Sequence, residues 1–194
     1  CIGGDTRRSQ TQPPRIMRAD GSAPVAQMLN LSAFCEQMLV HEHACVAIDK
    51  AMPLDRAAVI GCAVTTGAGA VFNACALVPG ETVAVIEAVG RQASADLAIK
   101  VLRRGGTATI LGMMPLDCKV GLGAMDLLSG KKLQGAIMGM NRFPVDLPRL
   151  VDFYLRGLLD LDTIIAERIG LEDVNRGFDT MRAGHSARSV IVFD

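Results

Sequence analysis

Residues 57–78 carry no charged side chain, and this run constrains the fold more than any other feature of the chain. By length it could span a bilayer. Thr65, Thr66 and Asn73, with glycines at 61, 67 and 69, interrupt its apolar character, and it holds few of the large aliphatic residues that drive insertion. It is therefore expected to form a buried turn and helix of a soluble α/β protein. Within it, Gly61-Cys62-Ala63-Val64-Thr65-Thr66-Gly67 sets a cysteine among small residues and Thr-rich turns, the setting of a positioned thiolate. From the residues alone, Cys62 is as readily a packed small hydrophobe.

Half of the 194 residues are hydrophobic, enough to bury the core of one large domain or two small ones. Twenty basic residues balance twenty acidic ones, so the overall charge favours neither nucleic acid nor an anionic membrane as a partner. Arg7-Arg8, Arg103-Arg104 and Lys131-Lys132 read as solvated turns or helix ends. Cysteines at 1, 35, 45, 62, 75 and 118 form no C-x-x-C pair and sit mainly in apolar surroundings. That usage predicts reduced, mostly buried thiols and a cytoplasmic setting. The first residues, Cys1-Ile2-Gly3-Gly4-Asp5, show no initiator Met and no leader pattern, and read as an internal start.

Residues 1–25 are polar and turn-rich, with Pro13-Pro14 and Asp20-Gly21 interrupting any periodicity. Short apolar runs predict strands over residues 33–40 and 45–48, separated by His41-Glu42-His43. Two histidines at i and i+2 of a strand would face one side and could share a metal, although a two-His surface turn is the plainer reading. Pro53 and Asp55 mark a helix entrance, and a second helix is expected over residues 66–76, ending at Pro79-Gly80.

Beyond that turn the pattern alternates. Strands are expected over residues 82–86, 107–111, 132–138, 164–169 and 189–193. Helices are expected over 94–102, 121–128, 145–159 and 171–182. Such alternation predicts a parallel sheet.

Three blocks, in this order and at these distances, carry a resemblance. The first is Gly61-Cys62 to Gly69 with Pro79-Gly80-Glu81-Thr82-Val83. The second is Glu87-Ala88-Val89-Gly90 with the stretch from Arg104 to Gly112. The third is Gly177-Phe178 with Met181 to Arg188. Together they resemble the medium-chain zinc-dependent alcohol dehydrogenases over nearly the whole chain from about Asp20 onward.

The resemblance implies an α/β fold: part of a GroES-like catalytic domain plus a Rossmann-type doubly wound parallel sheet, with several elements missing. Residues 1–60 would be the remnant of the GroES-like domain, residues 61–138 an incomplete dinucleotide-binding domain, and residues 139–194 its end with the return to the catalytic domain. It implies that Cys62 is a ligand of a catalytic zinc, which acts as a Lewis acid on the substrate oxygen. It implies that Thr66, Leu111, Gly112, Met113, Ala136, Ile137 and Met138 surround the nicotinamide of NAD, and that Arg188 contacts the pyrophosphate. The substrate would be a small alcohol or aldehyde, and the strand around residues 135–138 would be an inter-subunit edge of a homodimer or homotetramer.

The chain departs from the family's pattern in two places. The strand ending at Ile86 runs directly into Glu87-Ala88-Val89-Gly90, with no Gly-x-Gly-x-x-Gly turn, no following acidic residue for the ribose, and about two βα units fewer than a complete dinucleotide fold. The family's other catalytic zinc ligands would all precede Cys1, which itself resembles a late member of a four-cysteine structural zinc lobe. With Ser9 near where another cysteine would stand, no structural zinc is expected. Two functions fit this pattern: a zinc- and NAD-dependent alcohol oxidoreductase, or a catalytically inactive deletion fragment acting only as an association module through an exposed sheet edge.

Overall fold

The computed structural model describes residues 16–25, 34–38, 40–75, 84–186 and 188–193. Cys1, Ser9, the Pro79-Gly80 turn and the first part of the strand expected over residues 82–86 lie outside them. The chain divides into two compact units, residues 57–153 and residues 1–56 with 154–194.

Residues 57–74 of the charge-free run belong to one helix rather than to a turn and two helices. That helix comprises α1 (Leu54–Val59), a π-helical stretch (Ile60–Val64), α2 (Thr65–Gly69) and a second π-helical stretch (Ala70–Ala74). Gly67 and Gly69 lie in α2, and Gly61 in one of the two widened π stretches. At the first of them the Thr65 hydroxyl donates toward the carbonyls of Cys62 (3.0 Å) and Gly61 (3.3 Å). Cys62 thus sits on a helix, not in a loop. By length and composition Leu54–Ala74 could cross a membrane, and about a third of its most apolar window is buried against the protein.

The unit of residues 57–153 holds a parallel sheet in the order β1 (Ala84–Glu87), β2 (Thr107–Ile110), β3 (Lys132–Gly135). Ile86 pairs with Thr109 and Thr109 with Gln134. The intervening helices are α3 (Gln92–Lys100) and the short α4 (Ala124–Leu128), and α5 (Phe143–Leu155) follows β3. Helix α3 lays Ala98 and Ile99 on the sheet, where with Leu102 and Ala108 they form a core that Val85 and Leu133 help to cover. Gln134 ties the end of the long helix to the sheet: its amide donates to the Ala74 carbonyl (2.6 Å) and the Thr109 hydroxyl (2.9 Å).

The strand expected over residues 132–138 stops at Gly135. Met138, Gly139 and Met140 have φ of 48°, 70° and 55°, the left-handed region, which no strand can contain. Ile137–Met140 is instead a tight helical turn that reverses the chain toward α5.

The other unit contains β4 (Glu167–Ile169) paired in parallel with β5 (Ser189–Ile191), joined through α6 (Val174–Arg182). Leu161, Ile165, Ile169 and Val190 are its buried apolar residues. Gly177 allows α6 to approach β4, since a Cβ there would lie 2.9 Å from Ile169 Cδ1. Asp55 and Arg56 are bound to it by ion pairs with Arg168 and Asp162.

No strand forms among the described residues of 33–40 or 45–48. Glu42–Ala44 is a 3-10 turn capped by His41, whose Nδ1 accepts from the His43 amide at 3.2 Å. The strand geometry that would have aligned His41 and His43 on one face is therefore not there. Nor are the described thiols mostly buried: Cys45 and Cys62 are exposed, and Cys35, Cys75 and Cys118 are half-buried, none of them in a disulfide. Apolar neighbours in sequence did not guarantee burial, because Cys62 lies on the outward side of its helix.

Candidate functional site

Parallel strands present their carboxyl ends on one edge, and open α/β sheets bind ligands in the crevice outside those ends. Here β1, β2 and β3 end at Glu87, Ile110 and Gly135. The loops that follow are held side by side by backbone hydrogen bonds. Leu111 and Gly112 amides donate to the Glu87 carbonyl (2.7 and 3.1 Å), and the Ala136 amide donates to the Ile110 carbonyl (3.0 Å). Gly90 and Gly112 meet backbone to backbone, since a Cβ on Gly112 would stand 2.1 Å from the Gly90 nitrogen.

Each loop leaves an apolar side chain in solvent: Val89 is 69% exposed, Met113 88% and Ile137 78%. Three such residues from three successive strand ends make an apolar rim of the kind a flat heterocycle covers.

The Glu87 carboxylate organises the first loop. Its Oε1 accepts from the Val89 amide (2.9 Å), the Gly90 amide (2.8 Å) and the Ser94 hydroxyl (2.7 Å), while Oε2 is buried without a partner. Burial pushes the carboxyl pKa up, but the Ser94 hydroxyl with the Gly90, Val89 and Arg91 amides outweighs it and holds the group below the usual carboxylate range. Glu87 is therefore an anion inside the protein.

The third loop is fastened to the helix. Asn141 Nδ2 donates to the carbonyls of Thr65 and Met138, both at 2.6 Å. A Cβ on Gly139 would lie 2.6 Å from the Thr65 oxygen and 2.7 Å from the Thr66 oxygen. Thr66 is thereby brought beside Met138 and Gly139, and Ala136 beside Leu111.

Of the positions singled out from the sequence, Thr66, Leu111, Gly112, Met113, Ala136, Ile137 and Met138 thus fall along one end of one unit. Cys62 lies one turn before Thr66 and is exposed. Arg188 lies in the other unit, exposed, its carbonyl accepting from the Ala166 and Glu167 amides.

The residues present do not fit a zinc ion. A tetrahedral site needs four donors, at least three of them from protein. Among the described residues, no three of His, Cys, Asp and Glu are grouped to hold a metal, Cys62 included.

Comparison with curated proteins finds S-(hydroxymethyl)glutathione dehydrogenase of Paracoccus denitrificans, 25% identical over 253 residues, covering 92% of this chain and 67% of that protein. Alcohol dehydrogenase class-3 of Cereibacter sphaeroides is 24% identical with the same coverage. The chain is a relative of the medium-chain zinc-dependent alcohol dehydrogenases. No protein-family model matches it.

Among solved structures, a zinc-binding-domain alcohol dehydrogenase protein from Burkholderia ambifaria superposes with a TM-score of 0.74 at 19% identity, covering 81% of this chain and 60% of that one. Benzyl alcohol dehydrogenase from Acinetobacter calcoaceticus gives 0.65 at 17% identity, covering 77% and 59%. These likenesses show the fold. The chain spans about two thirds of those curated relatives and about 60% of those structures. The 253-residue match is longer than the chain's own 194 residues, so the Paracoccus protein carries internal stretches with no counterpart here.

Sequence reading missed Glu87, Val89 and Asn141 as parts of this site. A signal for Glu87 existed, since an acid at a strand end with Gly three and Ser seven residues on is a loop-closing pattern. None existed for Asn141, whose partner Thr65 lies 76 residues away.

Proposed function

We propose that this chain is an oxidoreductase of small alcohols and aldehydes that holds the nicotinamide end of its cofactor at the carboxyl edge of β1, β2 and β3. The observation that carries the reading is the exposed apolar trio Val89, Met113 and Ile137, one from each strand end. The dehydrogenase names of the curated relatives supply the reaction class.

When bound, the nicotinamide ring supplies a carbon that accepts a hydride from an alcohol or returns one to an aldehyde. The chain's own part is positional. Met113 and Ile137 offer the ring an apolar seat and exclude water from it. The backbone of Ala136, Ile137 and Met138 lines the place of the carboxamide, with the Ala136 amide kept by the Ile110 carbonyl and the Thr66 side chain on the same edge. Leu111 and Gly112 line the same edge.

Zinc belongs to this reading only through Cys62, and its further ligands would have to come from outside the described residues. No step of the reaction is assigned to it. The absence of disulfides among the described cysteines suits a reducing, cytoplasmic setting. The exposed edge strand β3 suits self-association as a homodimer or homotetramer, which light scattering on the purified chain measures directly.

The test is transfer of deuterium from a 1,1-dideuterated primary alcohol to an oxidised nicotinamide nucleotide, read by mass spectrometry. Deuterium on the ring supports the reading. Its absence with every alcohol offered to the folded chain returns the chain to a purely associative role.

A further inference from the structure

A dinucleotide is held by its pyrophosphate where a strand runs into a helix, on free backbone amides and the positive end of the helix dipole. This sheet offers three such junctions, and the chain has placed a carboxylate of its own at each.

Between β1 and α3, Glu87 is 4% exposed, and its Oε1 takes the Val89 and Gly90 amides and the Ser94 hydroxyl. The groups that would turn toward a phosphate are therefore already turned toward an internal anion. The two glycines here do not open the loop to a ligand either. Gly90 and Gly112 are spent on packing one loop against the other, with 2.1 Å between a Gly112 Cβ and the Gly90 nitrogen.

Between β2 and α4 the helix is only five residues long, and its first turn carries Asp126, paired with Lys131 at 2.8 Å. Between β3 and α5, Asp146 is 6% exposed and its Oδ2 accepts from the Arg142 amide at 2.8 Å. The guanidinium groups of Arg149 (3.4 Å) and Arg142 (3.9 Å) both turn toward that same carboxylate. At the first and third junctions a buried carboxylate already takes nearby amides, and at the second the five-residue helix offers a phosphate little dipole.

We infer that the strand ends of this sheet form no pyrophosphate site, so that a reduced nicotinamide mononucleotide binds the chain as tightly as the reduced dinucleotide, the adenosine half adding nothing. This rests on the reading of the strand-end crevice given above. It also narrows that reading: recognition is confined to the nicotinamide, its ribose and one phosphate.

The experiment titrates the full chain, its fold checked by a cooperative unfolding transition, with each reduced nucleotide in turn. Binding is followed by nicotinamide fluorescence, which the chain's lack of tryptophan leaves unobscured. ADP-ribose is then added as competitor. The expected result is dissociation constants for the two nucleotides within about twofold of each other and no displacement by ADP-ribose. A dinucleotide preference of about tenfold or more, or displacement by ADP-ribose, overturns the inference. If neither nucleotide binds, the hydride-transfer reading falls and the inference with it, whereas a dinucleotide preference overturns the inference alone, so the two failures are distinguishable.

Discussion

Asn141 donates through a single Nδ2 to the carbonyl of Thr65 and to that of Met138, each at 2.6 Å, and so ties the loop after β3 to the helix that carries Cys62 and Thr66. The tie acts where the backbone is least at ease. Met138 and Met140 are the two non-glycine residues with positive φ among those described, a conformation that costs about 1 kcal/mol per residue and persists only when held. Asn73 adds a second, longer contact, its Nδ2 donating to the Gly139 carbonyl and to Asn141 Oδ1, both at 3.4 Å.

Replacing Asn141 with Asp should therefore be worse than replacing it with Ala. Asp puts a carboxylate oxygen against two carbonyls, whereas Ala only leaves them unpaired. Losses of about 3 and about 1–2 kcal/mol are expected in urea unfolding. Equal losses would mean that the amide proton donors do not matter.

Two glycines of one short helix should respond with opposite signs. A Cβ on Gly67 meets nothing within 4 Å, so Gly67→Ala should raise stability by up to about 1 kcal/mol through helix propensity. A Cβ on Gly69 would lie 2.4 Å from the Gly139 carbonyl oxygen and from Asn141 Nδ2, so Gly69→Ala should cost about 2 kcal/mol or more. Thermal unfolding of the two variants reads both signs in one experiment.

Acid should weaken the unit that contains β4 and β5 through Asp55. The Arg56 guanidinium, with Arg168 assisting against an opposing contribution from burial, holds its carboxyl down from the ordinary 3.8 to about 2. Because the folded value lies below the unfolded one, the stabilisation is complete above about pH 4 and is lost as the pH falls toward 2. Asp55→Asn should cost on the order of 1 kcal/mol at neutral pH, and the gap from the parent should close by about pH 2. A gap independent of pH would remove the ion pairs from the account.

Much of the fold was legible because it is local. The periodicity of residues 94–102 and 107–111, and the stop at Arg103 to Gly106, depend on neighbours in sequence, and α3 and β2 form close to where those patterns lie. What escaped depends on distant partners. The run of residues 132–138 reads as one strand, yet Gly139 must pack on Thr65 and Thr66, and that contact bends the chain into the left-handed region after Gly135. The glycines at 61, 67 and 69 are poor helix formers, yet all three lie within one helix, Gly61 in a π stretch and Gly67 and Gly69 in α2. The candidate site was legible as a set of positions, not as a charge arrangement. That Glu87 and Asp146 would be buried acids at helix entrances emerges only when the loops are packed.

The central claim is that the edge formed by Val89, Met113, Ile137 and Met138 seats a nicotinamide, and the methionines report on it directly. The chain has ten, of which Met113, Met114, Met138 and Met140 lie in the loops at the strand ends. With methyl-labelled methionine, addition of reduced nicotinamide mononucleotide should shift the resonances of Met113 and Met138, with a smaller effect at Met140, and leave Met17, Met52 and Met181 in place. Shifts confined to the latter group, or none at saturating nucleotide, would contradict the account.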